Sequence, residues 1–112
     1  MKNIAEFNII GRVSRLTKLG AVLKIDIAAN YGKKDKNGDW KDDAYWNSVT
    51  IFDESTQAYI EKHVGKGDLV FARGRLRQNR YEKDGATVYT VDLVANDFSR
   101  LAKASEDAGE GE

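Results

Sequence analysis

The chain has 112 residues, with 18 Lys and Arg against 18 Asp and Glu, one His, no Cys and no Pro. That length suits one domain, long enough to bury a core without disulfide or metal support, and the 41% hydrophobic, 32% charged composition reads as globular rather than disordered. Without Cys there is no disulfide framework, thiolate nucleophile or Cys-ligated metal, and a single His cannot build a multi-His site, so no metal and no cofactor are expected.

In chain order, residues 4–13 predict a first strand, with Phe7, Ile9 and Val13 on one side. Gly11 within it marks a bulge or a close backbone approach. Residues 21–30 follow with strict period two: Ala21, Leu23, Ile25, Ile27 and Ala29 alternate with Val22, Lys24, Asp26, Ala28 and Asn30. Asn37-Gly38 predicts the tip of a long hairpin into a third strand at 44–52. A short helix follows, capped by Ser55, carrying Tyr59, Ile60 and Val64, and ended by Gly65. Strands at 69–76 and 87–95 complete the set, joined by a second hairpin at Asp84-Gly85.

The order β-β-β-α-β-β predicts an all-β fold with a small helix inserted, a five-stranded OB-fold Greek-key barrel with long hairpins. The domain is expected over residues 1–103. Residues 104–112, Ala-Ser-Glu-Asp-Ala-Gly-Glu-Gly-Glu, read as a short acidic disordered tail. Four of the 18 acids lie there, which leaves 14 acids against 18 bases and a body charge of about +4. No stretch approaches the ~18 apolar residues of a membrane span, and the N-terminus has no signal-peptide apolar core, so a cytoplasmic protein without a membrane partner is expected.

The informative residues lie on faces that a plain barrel would leave polar. In the third strand Val49 and Ile51 take the core side, which puts Trp46, Ser48, Thr50 and Phe52 on the other. In the fourth, Val70, Ala72, Gly74 and Leu76 read as core, and Phe71, Arg73, Arg75 and Arg77 face outward. Near the hairpins, Tyr31 precedes Lys33 and Lys34, Trp40 precedes Lys41, and Tyr81 sits between Arg80 and Lys83. Rings interleaved with Lys and Arg suit single-stranded nucleic acid: bases stack on flat side chains, at about 1–3 kcal/mol each, while cations follow the phosphates. Arginine also stacks, which lysine does not.

Each feature has a plainer alternative. Phe52 has a core place if its strand bulges, and Trp46 has one over the helix or in a dimer contact. The arginines have surface ion pairs with acids such as Asp26 and Asp92. Trp40 has the role of loop anchor, and Phe71 belongs with the same outward face. Tyr45 and Tyr89 share parity with core residues and read as structural, and Tyr59 reads as helix packing.

No catalytic chemistry assembles. Gly65-Lys66-Gly67 lacks the spacing of a phosphate loop, and His63 sits where it complements a helix dipole. The pairs Asp42-Asp43 and Asp53-Glu54 point to opposite faces of a strand, so no two-carboxylate site and no enzyme is read here.

From about residue 3 to 101 the chain resembles the bacterial single-stranded DNA-binding proteins. The matching pieces are Phe7-Asn8-Ile9-Ile10-Gly11-Arg12-Val13, Tyr45-Trp46-Asn47-Ser48-Val49-Thr50-Ile51-Phe52, Tyr59-Ile60 with Gly65-Lys66-Gly67, and Val70 to Arg77 with Arg80-Tyr81. The resemblance implies an OB-fold that assembles as a homotetramer or a dimer and binds single-stranded DNA without sequence preference in replication, recombination and repair. It implies stacking by Tyr31, Trp46, Phe52 and Tyr81, the residues the face argument selects. Trp40 and Phe71 join them as candidates from the residues alone. Lys33, Lys34, Arg73, Arg75, Arg77, Arg80 and Lys83 are the phosphate candidates.

The first loop, residues 14–20, is shorter than the family's, and Glu110-Gly111-Glu112 stands where the family has an apolar tip that replication and repair partners capture. A phage- or plasmid-borne member, or a truncated one, fits. The alternative reading is an OB-fold replication accessory or protein-interaction module, primosome-like, with weak DNA or RNA binding.

Overall fold

A computed structural model of the chain describes residues 2–104. The alternating segments form strands β1 (Glu6–Leu19), β2 (Val22–Lys34), β3 (Trp40–Ile51), β4 (Leu69–Lys83) and β5 (Ala86–Ala102), with helix α1 (Glu54–His63) between β3 and β4. They close into a barrel in the order β1-β2-β3-β5-β4. The paired strands run antiparallel except β3 and β5, which meet in parallel at Thr50–Val94 and Ile51–Ala95. This is the OB-fold barrel the element order predicts.

Alternate residues of the barrel portions of β1 to β4 fill the interior: Phe7, Ile9 and Val13 from β1, Leu23, Ile25 and Ile27 from β2, Val49 and Ile51 from β3, Val70 and Ala72 from β4, with Ala95 added by β5. Ile60 of α1 and Val64 just after it join this cluster, so the helix packs against the core. Gly11 is a close-approach glycine: a Cβ there would lie 2.4 Å from the Ala28 carbonyl oxygen of β2. The irregularity of β1 comes later, where the pairing with β2 shifts between Val13 and Arg15.

Asp84 and Gly85 both have positive φ, 52° and 79°, as a two-residue hairpin turn with right-handed strand twist requires. At the other hairpin the Asp35 carboxylate accepts from the backbone N–H of Asn37 and Asp39 at 2.8 and 3.0 Å. The helix starts two residues before the sequence suggests. Asp53, not Ser55, is its cap: the Asp53 carboxylate accepts from Thr56 N–H at 2.9 Å and from the Ser55 and Thr56 hydroxyls at 2.7 Å each. Ser55 therefore lies in the first turn. Those bonds hold the Asp53 carboxyl below its ordinary pKa.

After the helix, Asp68 is buried. Burial pushes its pKa up, but the N–H groups of Gly65 and Ala104, with the charges of Arg100 and Lys103, outweigh that, and the net shift is downward.

All five strands extend past the alternation that predicts them, β1 to Leu19 and β2 to Lys34 among them. Residues 40–43 and 77–83 pair across the hairpins, and β5 continues to Ala102 beside β4. The hairpin arms project beyond the barrel, where no core enforces apolar residues. Leu76, read as core, stands at the start of such an arm and is 38% exposed. No helix among the described residues is long and apolar enough to cross a membrane. The acidic tail read from the sequence lies outside the described residues beyond Ala104.

Candidate nucleic-acid interface

Residues directly opposite each other on paired strands share a face. On the outside of β2 and β3 the pairs are Lys24–Thr50, Asp26–Ser48, Ala28–Trp46 and Lys34–Trp40. Phe52, one residue past the end of β3, continues that parity. Trp40, Trp46 and Phe52 are all exposed and six residues apart, a row with a spacing of about 20 Å at ~3.3 Å per residue. The small Ala28 opposite Trp46 leaves the indole uncovered. Trp40 lies over Gly32, where a Cβ would come 3.2 Å from the ring, and the Lys34 Nζ is 5.6 Å from its centroid. It is thus seated on its hairpin while most of its surface stays open.

The face continues across the barrel through Val94 and Asp92 of β5 to their β4 partners, Arg75 and Arg77. Here the surface is concave. A groove of about 1190 Å³ is lined by Phe52, Thr50, Lys24, Arg75 and Arg77, with residues 2–6 along one edge. Farther out on β4, Tyr81 and Lys83 have the same parity as the arginines. At its other end Arg73 lies opposite Asn8 and within 3.7 Å of the Glu6 carboxylate, and the half-buried Phe71 lies opposite Ile10. These two residues are not part of the groove lining.

The ion-pair alternative holds only in part. Asp26 pairs with Arg15 at 3.5 Å, and Asp92 accepts from the Asn79 amide. Arg75 and Arg77, in the groove, form no ion pair among the described residues.

The remaining candidates stand on the opposite face of the hairpin arms. Tyr31 and Lys33 have the parity of Ile25 and Ile27, and Arg80 is opposite Tyr89. Tyr45 and Tyr89, read as structural from their parity, are instead 54% and 59% exposed. Parity assigns a face but not a depth, and both residues lie on arms that have left the barrel. The Tyr45 ring packs against Tyr31, with centroids 4.8 Å apart and planes tilted by 57°. Counting pairs down from the Asn37-Gly38 tip is the signal that places these two tyrosines as diagonal neighbours.

The barrel and its outer face define an OB-fold domain with an open surface of rings and arginines. Residues 5–101 match the single-strand binding protein family, and the chain belongs to that family. It is 29% identical over 95 residues to a single-stranded DNA-binding protein of Xanthomonas axonopodis pv. citri, covering 83% of this chain and 52% of that one. With a single-stranded DNA-binding protein of Neisseria meningitidis serogroup A it shares 28% over 90 residues, 80% of this chain and 51% of the other. The chain thus spans about half the length of these curated relatives.

Among solved structures, a mitochondrial single-stranded DNA binding protein of S. cerevisiae superposes with a TM-score of 0.74 at 24% identity, over 90% of this chain and 98% of that one. A Plasmodium falciparum relative, solved in complex with single-stranded DNA, superposes with a TM-score of 0.71 at 20% identity, over 90% and 97% of the two chains. At these identities the two structures establish the shared fold.

Proposed function

We propose that this chain binds single-stranded DNA without sequence preference, through stacking on Trp46, Phe52, Trp40 and Tyr81 and through phosphate contacts from Arg75, Arg77, Lys34 and Lys83. The observation that carries the reading is the groove lined together by the exposed Phe52 and by Arg75 and Arg77. Stacking requires only the flat face that every base has, so such a surface reads strandedness and not sequence. The names of the curated relatives, and the DNA-bound state of the Plasmodium structure, support the same ligand.

Tyr31, Lys33 and Arg80 belong to this proposal as contacts from the other face of the hairpins, and Arg73 and Phe71 as contacts at the β1 end. A homo-oligomer, tetramer or dimer, is the assembly we propose, and the exposed Ile10, Val91 and Leu101 supply apolar surface for it. Service in replication, recombination and repair, in the cytoplasm of a bacterium or of a phage host, completes the proposal. Residues 1–103 act as the binding domain and 104–112 as an acidic appendage.

Titrating the protein with oligo-dT at low salt tests the central claim. Indole fluorescence is expected to quench and affinity to fall linearly on a log–log plot against salt. Absence of quenching, with no complex by anisotropy for any single strand, rejects it.

A further inference from the structure

Phe52 lines the groove, yet it belongs to no strand. The last β2–β3 pair in the register is Leu23–Ile51, and Phe52 lies one residue beyond it. Its ring is more than half exposed, so packing does not fix it either.

What reaches this point is the side chain of Gln57. Gln57 projects from the first turns of α1 and is 3% exposed. Its Nε2 carries two hydrogens, which reach the Ile51 carbonyl at 2.9 Å and the Ala21 carbonyl of the β1–β2 turn at 2.9 Å, with the Phe52 carbonyl at a longer 3.4 Å. Its Oε1 accepts from the Lys18 ammonium near the end of β1, which sets which way round the amide lies. One amide thus joins β1, the turn into β2 and the end of β3. A buried polar group of this kind is retained only with its partners in place, so the orientation is rigid.

We propose that Gln57 is the positioning residue for the Phe52 ring: its amide anchors the end of β3 at the Ile51 carbonyl and so holds the adjoining Phe52 ring in the groove that Arg75 and Arg77 also line. Lys18 acts one step farther out, by orienting that amide. This rests on the proposed binding of single-stranded DNA, and it adds two residues that touch no base.

The test is a pair of double-mutant cycles on oligo-dT affinity: Gln57→Leu with Phe52→Ala, and Lys18→Met with Phe52→Ala. Lys18 is half exposed, so its variant keeps the fold if Gln57→Leu does not. With Phe52 present, Gln57→Leu is expected to weaken binding about 3- to 10-fold, and Lys18→Met less, neither exceeding the loss from Phe52→Ala alone. In the Phe52→Ala background both effects shrink to less than about twofold. For Gln57→Leu the salt dependence stays that of the wild type, because no charge is removed.

An equal loss with and without Phe52 overturns the proposal, since it marks general damage for Gln57 or a direct phosphate contact for Lys18. No loss in either variant overturns it as well. If wild type binds and Phe52→Ala does not weaken it, the inference fails and the binding reading stands. If wild type does not bind, both fail.

Discussion

Replacing Trp46 by Ala separates a binding ring from a packing ring, because the structure assigns different magnitudes to the two roles. The indole is 63% exposed. A fully buried aromatic covers about 150–250 Å², so roughly a third of that is covered here, which at about 25 cal/mol per Å² is a stability loss of about 1–2 kcal/mol. A core Trp→Ala would cost about 3–5 kcal/mol. Loss of one stacked base costs about 1–3 kcal/mol of affinity, or about 5- to 150-fold in Kd.

Urea denaturation measures the first quantity, and anisotropy of a labelled oligo-dT measures the second. The expected outcome is a folded protein with a small shift in midpoint, a large rise in Kd and an unchanged salt slope. Trp46→Phe, which keeps a flat ring, recovers most of the affinity. The variant also leaves Trp40 as the remaining indole, so its quenching reports whether the hairpin arm meets the strand. An affinity within about twofold of wild type in a folded protein refutes the stacking role, and a stability loss above about 3 kcal/mol assigns Trp46 to packing.

The other predictions address charge, backbone and pH. Arg77→Ala is expected to reduce the slope of log affinity against log salt by about 0.7, the value of one phosphate contact on a single strand, while a slope equal to wild type removes Arg77 from the path. Gly11→Ala places a Cβ 2.4 Å from the Ala28 carbonyl oxygen, so β1 and β2 must separate, and urea melts should show about 1–3 kcal/mol of lost stability. Gly65→Ala, whose Cβ meets nothing within 4 Å, is the matched control and stays near wild type.

Asp68 has a folded-state pKa below its unfolded value, so its contribution is present above about pH 4 and is lost as pH falls through the lower folded value. Stability curves of wild type and Asp68→Asn should therefore differ near neutral pH and converge in acid. A constant gap down to the acid limit contradicts this.

How much was legible beforehand differs from element to element. The alternation in residues 21–29 and the apolar pairs Val49/Ile51 and Val70/Ala72 identify barrel strands, because a closed core accepts one face of a strand and excludes the other. The same rule makes Trp46 and Phe52 conspicuous, as large rings on a face that needs none. It fails for Tyr45, Tyr89 and Leu76. Period two continues along a hairpin arm after the barrel has ended, and nothing in a single strand marks where the interior stops. It is silent on Gln57, a lone polar residue in a short helix, whose meaning comes from three carbonyls on other elements.

The sequence by itself therefore determined the strand count, the inserted helix, the inward faces and the types of side chain left outside. These follow from local periodicity, turn chemistry and the free energy of burying apolar groups. Only the tertiary structure decided which outward residues meet. Phe52 and Arg77 line one groove because β5 lies between β3 and β4 in the closed barrel, a meeting across 25 positions that no local pattern encodes. Tyr31 and Arg80, of the same residue types, fall on the other face because a strand reverses its side chains at every step.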